Sequence, residues 1–138
     1  DKKYTAFCNS LITRKGLSHQ VVFKGITTKP AQVLLNASVC AFPSAFEGFG
    51  LALTEAMAAG LPVIGFNYCS GVNELIKNGH DGFLVKDVNE FSEKLDLLLN
   101  DETLRRILGK QAQEISQTYS MDNIITQWEN LIKLVIKE

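Results

Sequence analysis

The spacing of apolar residues predicts an alternation of helices and short strands along most of the chain. Residues 3–15 carry apolar side chains at helical spacing, and Gly16 ends that pattern. Later runs are short, continuous and apolar, with β-branched and aromatic residues prominent, and Gly or Pro lies within two residues of each of them. Such runs predict buried strands, and they cover residues 21–23, 38–42, 62–66 and 82–85.

Helices are predicted between and after these strands. Pro, Asp or Ser marks several of their starts, and Gly follows two of their ends. The predicted helices cover residues 30–37, 49–59 and 71–77, and then residues 88–100, 102–119 and 121–138, after the caps Asp87, Asp101 and Ser120.

The strands are continuous apolar runs rather than alternating ones, which is typical of a parallel sheet buried on both faces. The sequence therefore predicts an α/β, Rossmann-like fold with extra C-terminal helices. Those helices are expected to form a further layer or an arm, and the turn at Asn100 and Asp101 is the candidate boundary.

Composition and charge narrow the function classes. The 138 residues suit one domain, and a formal net charge of -1 gives no basic excess for nucleic acid. The cysteines, Cys8, Cys40 and Cys69, lack C-x-x-C spacing, and the two histidines lie far apart, so no disulfide framework, no metal site and no cofactor are expected. Cys40 is expected in the core, and a reducing, cytoplasmic compartment fits best.

No apolar run is long enough to span a membrane, and no signal peptide is visible. Because the chain begins at Asp1, we expect residues 1–138 to be a single, partial domain of a longer protein.

The segment between Pro43 and Pro62 carries the clearest chemical signal. In a parallel sheet, ligands bind beyond the carboxyl ends of the strands, where the strand ending at Phe42 would deliver Glu47. Gly48 and Gly50 leave backbone amides uncovered, and a helix begins just after them. Free N–H groups and a positive helix dipole at one corner predict a site for phosphate or another anion.

Glu55 is the second candidate. The helix around it is apolar on every face, so we expect it to be buried, and a buried carboxylate without a basic neighbour needs hydrogen-bond partners. Ligand hydroxyls could supply them. Glu47 and Glu55 can then reach different parts of one extended ligand.

At these residues the sequence resembles the group 1 retaining glycosyltransferases, which have the GT-B fold and an E-x7-E motif. The resemblance covers residues 4–135. It is carried by Glu47-Gly48-Phe49-Gly50-Leu51, Glu55-Ala56-Met57-Ala58, Gly60-Leu61-Pro62-Val63-Ile64, Gly71-Val72-Asn73-Glu74-Leu75-Ile76, Asn78-Gly79 and Gly82-Phe83-Leu84-Val85, with Val21-Val22-Phe23-Lys24-Gly25 upstream.

The resemblance implies a C-terminal, donor-binding lobe and assigns roles to its residues. Glu47 would face the donor sugar at the reacting centre, and Glu55 would bind the ribose hydroxyls. The amides of Gly48, Phe49, Gly50 and Leu51 would contact the sugar and diphosphate. The reaction would retain the anomeric configuration without a metal, and these amides would stabilise the charge on the leaving diphosphate.

Simpler interpretations stay open for each residue. Glu47 could be a solvated loop carboxylate, Glu55 a carboxylate satisfied by backbone, and the Gly48 and Gly50 pair a requirement of turn geometry. Glu74 would either cap a short helix, which is the simpler interpretation, or belong to the donor site. The helical stripe around Trp128 predicts core or interlobe packing.

The family's arginine and lysine that clamp the diphosphate have no counterpart here, since Arg14 and Lys15 lie in the wrong place for that role. The start of this lobe and the acceptor-binding N-terminal lobe are therefore expected to lie outside the chain. The isolated chain should be inactive, should bind donor weakly, and can self-associate through exposed apolar surface.

The expected donor is a UDP-sugar, with a GDP-sugar next, and the expected acceptor is a glycan or a lipid-linked saccharide of the cell envelope. Contact with the inner membrane face is expected only of the full-length protein. Two rival classes remain: a glycogen-, starch- or sucrose-related synthase of the same fold, and a non-catalytic nucleotide-sugar-binding module.

Overall fold

The computed structural model describes residues 2–136 and contains a small parallel sheet among helices. In chain order the elements are α1 (Lys2–Arg14), α2 (Pro30–Leu35), β1 (Cys40–Phe42), α3 (Leu51–Ala58), β2 (Val63–Phe66), β3 (Gly82–Val85), α4 (Val88–Asn100), α5 (Glu102–Ala112), α6 (Ile115–Thr118) and α7 (Met121–Ile136).

The three strands are parallel and lie in the order β1-β2-β3, with Ile64 of β2 aligned between Ala41 and Phe83. All four residues of β2 are buried. A central strand covered on both faces must be apolar at every position, which is why this run does not alternate. The predicted parallel sheet flanked by helices is confirmed.

The core lies where α3, α4 and α5 pack against this sheet. Its fully buried members come from β2, β3, α3, α4 and the turn after β2, among them Leu53, Met57, Ile64, Val72, Val85 and Leu98. Cys40 was expected in the core. It is half-buried at its edge, and burial raises the pKa of its thiol to about 11, which disfavours the reactive thiolate.

The predicted helix caps are confirmed. The Asp87 side chain accepts a hydrogen bond from the amide of Glu90 (2.9 Å), and that of Asp101 accepts one from the amide of Leu104 (2.8 Å). The Ser120 hydroxyl accepts one from Asn123 N at 3.3 Å. Each satisfies an amide that the first helical turn leaves without a backbone partner.

The turn at Asn100 and Asp101 does not divide the chain. Helix α5 packs against α3, α4 and β3. Arg105 of α5 donates hydrogen bonds from Nη1 to the carbonyl oxygens of Leu98 (2.5 Å) and Leu99 (2.8 Å) near the end of α4. The candidate boundary is therefore wrong, because α5 belongs to the same packed unit as the sheet.

The prediction of a strand at residues 21–23 is wrong. These residues have no strand assignment, and the side chains of Val21, Val22 and Phe23 are 42%, 63% and 57% exposed. Strand residues need a neighbour for their backbone N–H and C=O groups. Among residues 2–136 the sheet contains only β1, β2 and β3, and none of them pairs with this run.

The helix predicted at residues 71–77 is also wrong, because this segment forms a series of turns. Two helix-like hydrogen bonds form, from Asn73 N to Cys69 O and from Ile76 N to Val72 O. The Asp81 carboxylate then accepts the amide of Lys77 at 2.8 Å, and the side chain of Asn78 accepts that of Leu84 at 3.0 Å. These local bonds compete with a continued helix.

Other helix bounds differ from the predictions. Helix α3 starts at Leu51 rather than Phe49, and the helix expected to reach Tyr119 divides into α5 and α6. In α7, Trp128 is 62% exposed, so the apolar stripe around it is not part of the core within residues 2–136. The predicted helix end at residues 137–138 lies outside the described residues. Within residues 2–136, no helix has the length and apolarity to cross a bilayer.

Candidate functional site

The candidate site is the loop of residues 43–50, which leaves the carboxyl end of β1 and leads into α3. Gly50 closes the loop in the left-handed conformation (φ 79°) and is the N-cap of α3. Its carbonyl accepts the amides of Leu53 (2.9 Å) and Thr54 (3.0 Å). Glycine adopts this backbone at little cost, and it lets α3 begin abruptly at the sheet edge.

The amides around the start of α3 face no acceptor in the protein. Within residues 2–136, no backbone N–H group from residue 44 to residue 52 donates a hydrogen bond, and those of Gly48, Phe49, Gly50 and Leu51 lie between Glu47 and the first turn of α3. The first amides of a helix always lack an intrahelical partner, and here no side chain caps them. Uncompensated amides at the positive end of a helix dipole favour a bound anion.

Glu47 lies in the same loop and is half-buried. Its Oε1 accepts a hydrogen bond of 2.8 Å from the Ser44 hydroxyl, which fixes the carboxylate within the loop. Glu47 thus lies in the loop at the carboxyl end of β1, directly before the unpaired amide of Gly48. A carboxylate beside an anion site can act on a group attached to that anion.

A turn from the next strand supports this loop. Gly71 has φ 78°, and a Cβ atom on it would lie 2.7 Å from the carbonyl oxygen of Gly48 and 2.9 Å from that of Glu47. Only a residue without a Cβ permits this approach. The sequence pattern suggested Gly71 only as the start of a helix, so its role in shaping the site was missed.

Phe49 makes the second supporting contact, against Tyr119 at the end of α6. The two ring centroids are 5.0 Å apart with an interplanar angle of 79°, the edge-to-face geometry that aromatic pairs prefer. No pattern in the sequence linked Tyr119 to this loop, because the two residues are distant along the chain.

Glu55 was expected to be buried, and this is wrong. Helix α3 buries only Leu53, Ala56 and Met57, and Glu55 lies on its exposed side. The helix is covered on one side by the sheet and by α5 and α6, and α2 contacts its other side without covering Glu55. The composition of α3 led to a wrong prediction of burial for Glu55, because small and apolar residues also occupy the side of the helix on which Glu55 lies.

The side of α3 that carries Glu55 forms one wall of a groove of about 380 Å³. Glu55, Ala58 and Ala59 line it from α3 and the residue that follows, and Pro30, Ala31, Leu34 and Leu35 line it from α2. The groove is apolar apart from the Glu55 carboxylate. One acceptor group beside an apolar wall suits a ligand with a flat apolar part and hydroxyl donors.

Glu74 was expected to cap a helix, and that interpretation is wrong because residues 71–77 contain no helix. The side chain is exposed and borders a small pocket of about 90 Å³ shared with Asp81 and Tyr119. Asp81 is only 4% exposed, and its burial raises the pKa of its carboxyl above the usual value.

The described residues offer no evident metal centre. Within residues 2–136, no three His, Cys, Asp or Glu side chains are grouped so that they could hold a metal ion.

The fold and the site define a class: a parallel α/β domain with a glycine-containing loop at the carboxyl edge of its sheet and an apolar groove beside that loop. Residues 1–115 match the family of glycosyl transferases group 1. The chain belongs to this family, and its fold is that of the C-terminal half of a GT-B glycosyltransferase.

Relatives and solved structures agree with that assignment. The chain is 32% identical over 124 residues to a poly(ribitol-phosphate) alpha-N-acetylglucosaminyltransferase of Staphylococcus aureus, covering 88% of this chain and 25% of the relative. The structure of HepE from Anabaena in complex with UDP and glucose is 27% identical with a TM-score of 0.87, covering 96% of this chain and 37% of that one.

A third comparison concerns the fold alone. The C-terminal domain of the group 1 glycosyl transferase LpcC from Francisella tularensis has a TM-score of 0.72 at 24% identity, covering 85% of this chain and 62% of that one. The chain therefore spans about a quarter of the curated Staphylococcus relative and has the fold of such a C-terminal domain.

Proposed function

We propose that this chain is the donor-binding part of a retaining hexosyltransferase that uses a nucleotide sugar, with a UDP-sugar as the favoured donor. The observation that carries the proposal is the row of four unpartnered amides from Gly48 to Leu51, with Glu47 directly before them. An anion site next to a fixed carboxylate suits a sugar diphosphate, since the phosphates and the reacting sugar carbon are neighbours in that molecule.

The amides would hold the diphosphate and stabilise it as it leaves. Negative charge grows on the diphosphate when its bond to the sugar breaks, and N–H groups already aimed at that position need no rearrangement. We propose that this stabilisation takes the place of a metal ion. Glu47, held by the Ser44 hydroxyl, would act at the donor sugar, and transfer would retain the anomeric configuration.

The nucleoside would occupy the groove between α2 and α3. Its base would lie on the apolar wall formed by Ala31, Leu34 and Ala58, and its ribose hydroxyls would donate to the Glu55 carboxylate. Solvent exposure of Glu55 fits this arrangement, because the carboxylate is open to a ligand. The UDP in the HepE structure supports uridine as the first candidate base. Glu74 stays a candidate for further donor contacts.

The acceptor is proposed from the relatives. A transferase named for poly(ribitol-phosphate) suggests a polymer or lipid-linked saccharide of the cell envelope. We propose that the acceptor-binding lobe and the start of this lobe lie outside residues 1–138, since the chain spans 37% of the HepE chain. The reaction would take place in the cytoplasm, with the whole enzyme at the inner membrane face.

Saturation-transfer NMR of the 138-residue chain with UDP, GDP and ADP tests donor binding. We expect stronger saturation transfer to the ribose protons of UDP than to those of GDP and ADP. The UDP signal should be lost in Glu55→Gln, because a hydrogen bond to a carboxylate contributes about tenfold to hundredfold in affinity. Glu93→Gln, on the exposed side of α4, is the matched control and should bind as the wild type does.

The outcomes separate the parts of the proposal. Equal UDP signals in wild type and Glu55→Gln would remove Glu55 from the site, and preference for ADP would favour a glycogen- or starch-synthase-like enzyme. No transfer from any nucleotide at millimolar concentration would count against donor binding by this chain. In the whole enzyme, Glu47→Gln should lower kcat while leaving the affinity for UDP within about twofold, since UDP lacks the sugar.

A further inference from the structure

The loop that carries Glu47 has little backbone support of its own. Within residues 2–136, no backbone N–H group of residues 44–50 donates a hydrogen bond, so neighbouring residues must hold the loop in place. Contacts of that kind include the close approach of Gly71 to Glu47 and Gly48, and the edge-to-face contact of Phe49 with Tyr119. The Leu75 side chain also packs beside Gly50.

Tyr119 is well placed to hold the loop against α3. It follows α6 directly, and its amide donates to the carbonyl of Ile115 at 3.0 Å. Helix α6 packs against α3, the helix whose first turn supplies the amide of Leu51. The Asn123 side chain donates to the carbonyl of Thr118 at 2.6 Å, which fastens the junction between α6 and α7 next to Tyr119.

We propose that Tyr119 is a positioning residue for the donor site: its ring holds Phe49 and thereby sets the direction of the Gly48 and Gly50 amides. This inference rests on the proposed function for its consequence, which is diphosphate affinity. Tyr119 itself would not touch the donor. The C-terminal helices would then be part of the site's support rather than only an added layer.

The contact between the two rings can order the loop without contributing to the core. A T-shaped aromatic pair gains about two- to tenfold in an equilibrium beyond the area it buries. Phe49 and Tyr119 are 42% and 40% exposed, and neither belongs to the buried core, so a substitution of one leaves the core residues in place. A variant at position 119 is therefore expected to fold.

The test compares Tyr119→Leu, Tyr119→Phe and a matched control, Tyr4→Leu, in the 138-residue chain. Tyr4 is also exposed and also faces a phenylalanine, Phe7, at 6.3 Å, but it lies in α1. Backbone ¹⁵N order parameters of Gly48, Phe49 and Gly50 report the order of the loop without any ligand. UDP titration then measures the consequence for affinity.

We expect Tyr119→Leu to lower the order parameters of Gly48 and Gly50 and to weaken UDP binding about two- to tenfold. Tyr119→Phe keeps the ring and should match the wild type, and Tyr4→Leu should leave the loop and UDP binding unchanged. The thermal midpoint of Tyr119→Leu should lie below that of Tyr4→Leu by no more than the few degrees that the loss of one aromatic pair explains. A larger drop would indicate general destabilisation rather than positioning.

Unchanged order parameters in Tyr119→Leu would overturn the inference, whatever happens to UDP. A loss in Tyr119→Phe equal to that in Tyr119→Leu would overturn it too, since the ring is kept. If the wild type fails to bind UDP, the proposed function fails, and the order parameters still decide whether Tyr119 holds the loop.

Discussion

Gly71 lies so close to Gly48 that a Cβ atom on residue 71 would stand 2.7 Å from the Gly48 carbonyl oxygen. The turn after β2 and the loop after β1 are thereby packed backbone to backbone. Both follow the carboxyl ends of neighbouring strands, where parallel sheets bind ligands. The shape of the loop that carries Glu47 therefore depends on a residue with no side chain, on a different strand connection.

We predict that Gly71→Ala destabilises the chain by about 2–4 kcal/mol, from the strain of φ 78° and from the collision with Gly48. Gly79→Ala is the matched control, because Gly79 has φ 77° and a Cβ atom at that position would have no neighbour within 4 Å. It should lose only about 1–2 kcal/mol. Urea unfolding of both variants measures the difference, and equal losses would show that the collision is absent.

The two adjacent arginines of α5 should behave differently. Arg105 is half-buried and binds the carbonyls of Leu98 and Leu99 at the end of α4, where free carbonyls and the helix dipole favour a cation. Arg106 forms an exposed ion pair with Glu102 at 2.7 Å, with side chains 79% and 65% exposed.

We therefore predict a loss of about 1–3 kcal/mol in unfolding free energy for Arg105→Ala and less than about 1 kcal/mol for Arg106→Ala. Adding about 0.5 M salt should shrink the small effect of Arg106 further, since exposed pairs are screened. An Arg106 variant as destabilised as the Arg105 variant would contradict the assigned roles.

The sequence predicts the elements that depend on a uniformly apolar run or on hydrogen bonds between residues close in the chain. The continuous apolar run of β2 indicates its central place, and Asp87 and Asp101 mark helix starts because each bonds within its own first turn. Residues 21–23 have the composition of a strand, but a strand also needs a pairing partner, which composition cannot supply.

The sequence predicts the part of the site whose residues are consecutive along the chain. Glu47 and the amides that follow it lie within one loop, although the sequence prediction began the helix at Phe49 and the structure begins α3 at Leu51. The exposure of Glu55 could not be inferred, since it depends on which side of α3 other helices cover. Tyr119 and Gly71 reach the loop through tertiary packing alone, and no local pattern encodes that.

Asp81 should make stability depend on pH in the acid range. Its burial raises the pKa of the folded carboxyl above the ordinary value of 3.8, so the folded state binds more protons than the unfolded state. Stability from this group is then highest below pH 3.8 and falls as the pH rises through the folded pKa. Once the pH is well above the folded pKa, the stability contributed by the Asp81 carboxyl is lost completely.

We predict that Asp81→Asn removes this loss, because the amide oxygen of the new side chain can still accept the Lys77 amide without carrying a charge. The thermal midpoint of the variant, relative to wild type, should rise between about pH 3 and pH 7. Asp96→Asn removes a charge from an exposed position of α4 and should show no such rise. A constant difference for Asp81→Asn across this range would count against a raised pKa.

Gly109 offers a case in which helix propensity and packing predict opposite signs. It is a buried residue of α5, where Ala would stabilise the helix by about 1 kcal/mol relative to Gly. A Cβ on Gly109 would, however, overlap the carbonyl oxygen of Gly60 and approach the Pro62 ring at 3.5 Å. Backbone atoms at the end of α3 cannot move aside as a flexible side chain can.

Packing should decide the sign, and we predict that Gly109→Ala lowers the unfolding free energy by about 1–3 kcal/mol. Ser92→Ala, at an exposed position of α4, provides the propensity control and should raise it by a few tenths of a kcal/mol, about 0.5 at most. Chemical unfolding of both variants gives the two signs. A stabilised Gly109→Ala would mean that α5 can move away from Gly60, and with it the helix layer that carries α6 and Tyr119 to the Phe49 ring.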